Sequence, residues 1–470
     1  MDVFVSIENF KSIQSTRLCI RKGVNILVGP NGSGKTCILS ALMLLGDILR
    51  FGAARALARS GGAHRVYNRG RKYIGFTVTC EYGERTYKGR KCPFQVSWEI
   101  QVAQRGIEKV AAITHERLVL SLNQDGETCV VLDARINRRE PQRGSRSVKL
   151  ADMAHFRRDL FQSSYAETRR KSDMRKHIVD VIGSWIDAIK NNGDVSMLSG
   201  LSRLDYRIAD LARRFLTLEE YRIVPDAART ATDQLQFARM ATDGAGVGEV
   251  IYTLEKKHYH KMVEPERYYI PMEYSYHKGF PLPRLYRAGY LYARREDYWH
   301  RLSKVLAIIN AELAEAVRPI EKVSAEVDPS TGRRRLVFWS TTDKFHAEEV
   351  SDGTMKWICI LVSILVDDGP IYLLEEPENF LHPWMQQRLI QIMREEADRS
   401  ERAFLLSSHS ATILNATKPS ELLIVSQSER GTHVREITNR TEIEQALAES
   451  NFGLGDLWVS GGIGGVPSNA

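Results

Sequence analysis

The chain has 470 residues, an apolar fraction of 43% and a formal charge of +8 with a pI near 9.0. That length predicts two domains or one head with a large insertion, and the apolar content is enough for an ordinary buried core. The charge permits nucleic-acid contact without requiring it, while the longest apolar run, Trp357 to Val366, is too short to span a bilayer and Asp2 and Glu8 interrupt any leader-like start, so no membrane partner and a cytoplasmic location are expected.

Val3 to Ile7 and Val24 to Val28 open the chain as strands. The run Asn25-Ile26-Leu27-Val28 ends at Gly29, and a stripe of Ile38, Leu39, Leu42 and Leu45 after Thr36 predicts a helix. Between them, Gly29-Pro30-Asn31-Gly32-Ser33-Gly34-Lys35-Thr36 fits the phosphate-loop pattern G-x-x-x-x-G-K-[ST] in its required strand–turn–helix context. Gly29, Gly32 and Gly34 let the backbone turn its N–H groups inward, where they and the helix N-terminus hold phosphate oxygens. Lys35 is expected on the β- and γ-phosphates of ATP and the Thr36 hydroxyl on Mg²⁺. Cys37 reads either as a small packing residue or as a thiol activated by the helix start. The six cysteines include no C-x-x-C pair, which fits reduced thiols.

Thr77 to Glu81, Phe94 to Val102 and Leu118 to Val131 are rich in β-formers and predict an antiparallel layer. Residues 134–149 are arginine-rich and read as a surface loop, in which Arg135, Arg138, Arg139, Arg143, Arg146 and Lys149 are either solvated or in contact with nucleic acid. From about 150 to 262 the pattern is helical, with Ile178, Val181, Ile182, Trp185 and Ile186 on one stripe. Tyr268 to Arg301 interleaves tyrosines with arginines, a pattern shared by base-stacking surfaces, protein interfaces and half-buried strands. A helix over 299–323, ended near Pro319, and a strand over Arg334 to Ser340 follow.

Ser351-Asp352-Gly353-Thr354 precedes an apolar helix over Met355 to Val366 and offers an N-cap with free N–H groups, an anion site. Ile371 to Glu376 is an apolar strand ending in two acids. As in phosphate-loop ATPases, Glu375 is expected near Mg²⁺ and Glu376 on the attacking water; adjacent strand positions face opposite sides, so the two acids can hold different jobs. Ala403 to Ser408 is a second buried strand, and His409 after it is placed to sense the γ-phosphate and hold Glu376. Lys35, Glu376 and His409 thus form the expected catalytic set. The final Gly461 to Gly465 run lacks a following Lys-Thr and reads as a flexible docking tail.

These residues resemble the ATPase heads of the RecF/SMC/OLD group of ABC-type proteins. Asn9 to Ile13 is similar to the group's opening strand, Ser351 to Thr354 to its SDGT signature, and Leu374 to Asn379 with Leu381-His382-Pro383 to its LEEPEN…LHP block. Asp243-Gly244 to Leu254 resembles a helix start of the group more weakly, and the ending Gly453 to Trp458 with Gly464 to Pro467 is similar to the tails of its stand-alone ATPases. The resemblance implies an α/β P-loop NTPase fold, an ABC-type head with an antiparallel β layer and a mainly helical insertion. It divides the chain into 1–150 and 343–470 as head and 151–342 as insertion. It also implies that Ser351 and Gly353 close on the ATP of a second copy, giving a homodimer or higher homo-oligomer; Gln162 is a candidate Q-loop residue. No D-x-D pair occurs and the chain ends about 60 residues after His409, so no Toprim nuclease is expected. Stand-alone relatives of the Septu and PARIS anti-phage type work with a separate effector such as a nuclease. A RecF-like DNA-repair ATPase and a slow-turnover ATP-dependent scaffold are the alternatives.

Overall fold

A computed structural model describes the chain except residues 1, 88–89, 106–108, 125–126, 139–144, 151–170, 190–191, 203–204, 234–237, 259–283, 430, 438, 450–451 and 463–470. The chain gathers into two compact units. The first takes Met1–Lys22, Gly29–Leu218 and Leu423–Glu436; the second takes Gly23–Val28, Glu219–Leu422 and Ile437–Ala470.

The first strands are β1 (Val3–Phe10), β2 (Ile13–Ile20), β3 (Gly23–Val28), β4 (Tyr73–Tyr87) and β5 (Arg90–Arg105). They are followed by β6 (Val110–Gln124), β7 (Glu127–Asn137), β8 (Ser145–Leu150) and the short β9 (Glu220–Tyr221). Next come β10 (Lys322–Val327), β11 (Arg334–Trp339), β12 (Lys344–His346) and β13 (Ile371–Glu375). The last are β14 (Ala403–Ser408), β15 (Leu422–Ser428) and β16 (Gly431–Glu436).

The first unit is built on a seven-stranded antiparallel sheet in the order β2-β1-β4-β5-β6-β7-β8. Its strands alternate: Val3, Val5 and Ile7 are fully buried while Phe4, Ser6 and Glu8 are not, so one face makes the core. On that face Trp98 sits opposite Leu118 and Val96 opposite Leu120. The helix Lys35–Phe51 belongs to this unit; its Arg50 Nε donates to the Leu216 carbonyl at 2.6 Å. The hairpin β15–β16 is tied to β2 and its preceding turn. Arg21 grips the Glu436 carboxylate at 2.7 and 2.8 Å, and Thr432 N donates to Ser12 O at 3.1 Å.

Residues 134–137 and 145–149 are not surface loop but belong to β7 and β8. Arg135 lies in β7 opposite Ser147 of β8, and Leu132, Ala134 and Ile136 alternate as buried residues between polar ones. The arginine content hid that period-two pattern. Arg117 and Arg135 both hold Asp133, whose carboxyl is pulled down to about 2: burial raises it, but the two guanidinium partners outweigh burial. Arg138 is 1% exposed and donates to Val195 O at 3.0 Å. Arg139 and Arg143 lie outside the described residues.

In the second unit β3, β14, β13 and β9 run parallel in that order, with Val28 opposite Ser408, Glu375 opposite Ser407 and Leu374 opposite Tyr221. Ile371 to Leu374 and Ala403 to Leu406 are buried throughout, as strands covered on both faces must be. Arg402 is also fully buried; it donates to Gly369 O and Ile364 O and lies 5.0 Å from the Phe404 ring centre. A smaller antiparallel sheet, β10-β11-β12, completes the strands. The helix expected over 299–323 runs instead from Arg284 to Ala316, stopping short of Pro319 because the residue before a proline resists the helical region. Tyr286, Tyr290 and Tyr292 fall on this helix, whereas Tyr268, Tyr269, Tyr274 and Tyr276 lie outside the described residues, as does Gln162. Among the described residues no helix is long and apolar enough to cross a membrane. Cys19, Cys37, Cys80, Cys129 and Cys359 are free thiols.

One buried carboxylate organises the first unit. Glu116 is fully buried and accepts from Trp98 Nε1 (2.9 Å), Ser196 Oγ (2.5 Å), Met197 N (2.7 Å) and Leu198 N (3.2 Å), with Arg138 Nη1 at 3.8 Å. Its loss strands several donors and a buried guanidinium at once. Glu116→Ala is therefore expected to lower unfolding free energy by about 3–5 kcal/mol, measured by urea titration; an unchanged midpoint would show that the donors find other partners.

Candidate functional site

The phosphate loop starts where β3 ends. Val28 closes the strand, and Gly29 is the next residue. Ser33 N donates to Pro30 O at 3.2 Å, folding the loop, and Ile38 N donates to Gly34 O at 3.1 Å, starting the helix. Gly34 is the N-cap with φ 104°, and no side chain caps this helix. Its first-turn N–H groups therefore face a position that suits an anion. A Cβ at Gly34 would collide with the Thr432 side chain, so both the backbone conformation and the close approach require glycine. Thr432 is itself fully buried and pinned through Oγ1 to Ser12 Oγ (2.9 Å) and Gln427 Oε1 (3.0 Å).

Lys35 is buried and its Nζ donates to Gly29 O (2.7 Å) and Pro30 O (3.1 Å), so the ammonium lies across the loop's own carbonyls. Ser33 Oγ is buried with no hydrogen-bond partner among the described residues. An uncapped helix start, an ammonium folded over the loop and an orphaned hydroxyl form a donor-rich cradle, which fits a polyphosphate. Thr36 follows Lys35 in the first helical turn, and Asn31 and Gly32 form the turn of the loop.

In the second unit, Glu375 ends β13 with its side chain 8% exposed and 3.5 Å from the exposed Arg222 guanidinium. Glu376 is not a further strand residue, as adjacent-strand geometry had suggested. Its φ of 43° turns the chain off the sheet, and its N–H donates to Ser407 O at 3.1 Å. The two acids thus separate by a backbone turn rather than by strand alternation. Asn379 Nδ2 donates to Glu376 Oε2 at 3.2 Å. His409, one residue beyond β14, places Nδ1 3.9 Å from Glu376 Oε1 but only 3.3 Å from Glu378 Oε1. The nearer partner of the histidine is therefore Glu378, to which sequence reasoning had assigned no role.

Ser351 caps the helix Asp352–Val366, accepting from Thr354 N at 3.2 Å. Arg229 fixes the approach to it by donating to Val350 O (3.0 Å), Ala347 O (3.1 Å) and Asp352 Oδ1 (2.6 Å). Gly353 lies so close to the Phe380 carbonyl that a Cβ would come within 2.5 Å of it. One turn on, Lys356 is buried and donates to the main-chain carbonyl of Glu376 at 3.0 Å. Burial pushes this ammonium down to about 8, against the opposing pull of Glu378 and Glu376. Glu375, Glu376 and His409 thus share one end of the parallel ladder, and the signature helix is bonded to that end through Lys356. Gly29 to Thr36 assemble within the other unit. Lys356, Glu378, Arg222 and Arg229 were missed. Only Glu378 had a signal, as the third acid of Glu375-Glu376-Pro377-Glu378.

Residues 141–415 match the family described as "AAA domain, putative AbiEii toxin, Type IV TA system", and residues 1–105 match "AAA ATPase domain". A 40-residue stretch is 55% identical to the DNA double-strand break repair Rad50 ATPase of Methanopyrus kandleri, covering 8% of this chain and 5% of that protein. A 50-residue stretch is 46% identical to the DNA replication and repair protein RecF of Yersinia enterocolitica, covering 11% and 14%. The chain therefore spans only a small fraction of the length of these curated relatives. A solved SmcHead bound to the C-winged helix domain of ScpA aligns over 93% of this chain and 98% of that one, at 13% identity and a TM-score of 0.43. The family matches bear out the reading of an ATPase. The first of them spans more than half of the residues, and the chain belongs to that AAA-domain family, putative AbiEii toxin, Type IV TA system.

Proposed function

We propose that the chain binds Mg²⁺-ATP through its phosphate loop and hydrolyses it when two copies pair, with the acids at the strand ends serving the chemistry. The observation that carries this reading is the parallel register of β3, β14 and β13, which puts Val28, Ser408 and Glu375 at one edge, with the loop leaving from Val28. Lys35 and the loop N–H groups would hold the phosphates, and Thr36 and Glu375 would hold the metal. Bound Mg²⁺ supplies charge neutralisation at the phosphoryl group. Glu376 orients the attacking water, and His409 stands beside it at the same edge. Ser351 and Gly353, at this helix start, present a hydroxyl and N–H groups to the nucleotide of the second copy.

The role we propose is a nucleotide-dependent switch that controls a separate effector, such as a nuclease, in defence against phage. The resemblance of the Ser351 to Thr354 and Leu374 to Pro383 blocks to stand-alone OLD-like ATPases supports it. So does the matched family's description as a putative toxin of a Type IV TA system. A second reading, a DNA-repair ATPase, is favoured by the Rad50 and RecF stretches. Hydrolysis stimulated by DNA, with steep salt dependence, would select it.

Two variants test the site. Glu376→Gln should retain ATP binding and lose phosphate release by about 10²-fold or more, as for a positioned general base; turnover equal to wild type would remove Glu376 from the mechanism. Ser351→Arg should leave the monomer's ATP affinity intact and abolish the ATP-dependent dimer in light scattering. An undiminished dimer would rule out the shared site.

A further inference from the structure

The histidine at the strand edge has a partner no motif assigns. Glu378 Oε1 accepts from Ser408 Oγ (2.9 Å) and His409 N (2.8 Å), and the same oxygen faces His409 Nδ1 at 3.3 Å. The Glu378 backbone is fixed in turn. Gln386 Nε2 donates to Glu378 O (3.4 Å) and Leu381 O (2.9 Å), and Ser410 Oγ donates to Gln386 Oε1 (2.6 Å). The carboxylate is thus immobilised before the imidazole meets it. Glu378 is 6% exposed on its side chain and His409 is 43% exposed, so the acid is the anchor and the ring the movable part. Glu378 Oε2 is buried with no partner among the described residues, an arrangement that favours a positive neighbour.

We propose that Glu378 is the positioning residue of His409. It keeps the Nδ1 proton directed at Oε1 and leaves Nε2 as the ring atom presented outward. Which ring nitrogen carries the proton is set by the bond the other one makes, and an oriented carboxylate behind an imidazole fixes both tautomer and ring orientation. The other charged groups facing this point are Glu376, with Oε1 3.9 Å from the same nitrogen, and Lys356, which feels both acids. The inference rests on the ATPase reading for its kinetic consequence but not for its geometry.

The test pairs a spectrum with kinetics. In ¹⁵N-histidine-labelled wild type, with His409→Asn used to assign the signal, the His409 ring should carry its proton on Nδ1. Glu378→Gln should shift that balance towards Nε2–H, and Glu378→Asp should restore it in part. A wild-type ring protonated on Nε2 alone overturns the proposal, whether or not any variant folds. In steady state, Glu378→Gln should lower kcat by about 10-fold or more with KM for ATP changed less than about twofold. Added to His409→Asn it should cost nothing further, because it acts through that ring. Losses that multiply would mark Glu378 as merely structural and overturn the proposal. Wild type that binds ATP and releases no phosphate would defeat the hydrolysis reading instead, with the ring spectrum still deciding the role of Glu378.

Discussion

Parallel hydrogen bonding among β3, β14 and β13 is the constraint on which the rest depends. A parallel ladder fixes which residues finish side by side, and here the finishing residues are Val28, Ser408 and Glu375. The residues proposed to act on the nucleotide follow directly from those three ends: Gly29 from the first, His409 from the second, Glu376 from the third. The strands are buried on both faces, so a one-residue slip would move polar ends into the core and drag apolar side chains to the edge. The register is thereby specified by burial, and the chemistry inherits its alignment from it. This is the general logic of open parallel sheets, whose ligands sit beyond the carboxyl ends of the strands.

The loop itself depends on a second device. Gly34 adopts φ 104° against a fully buried Thr432, and Thr432 is held by Ser12 and Gln427. A phosphate loop is a glycine turn with little side-chain packing of its own. Its shape is therefore imposed by what it leans on. The hairpin β15–β16, far along the chain from the loop, supplies that wall within the first unit. Ser12 at the other end of the contact belongs to the turn after β1.

How much of this was legible in the sequence follows from where each signal is stored. The phosphate loop, both acids and His409 are local: a short motif and its flanking apolar runs suffice. The antiparallel layer was legible for the same reason, through clusters of β-formers, until arginines interrupted the pattern at β7 and β8. There the charge is absorbed by pairs such as Arg117 and Arg135 with Asp133, which only the strand register reveals. Lys356 and Arg229 were invisible as site residues, and Glu378 showed only as a third acid, because each acts across a fold contact: a lysine on a helix reaching a strand-end carbonyl, an arginine reaching a carboxylate 123 positions further along the chain, and an acid reaching a histidine 31 positions away.

Glu376 brings these effects together. A non-glycine residue at φ 43° costs about 1 kcal/mol or more against the ordinary helical or extended regions. Glycine would remove that strain and also the carboxylate, so the strain is retained where the side chain is needed. The conformation is enforced on both sides of the residue, by Glu376 N to Ser407 O and by Lys356 Nζ to Glu376 O. The second bond requires a buried ammonium, whose desolvation opposes it, as its lowered proton affinity records. A packed methionine would serve stability as well or better. What the lysine adds is a bond from the signature helix to the turn that aims Glu376. A shift of that helix would reach the Glu376 turn through this bond.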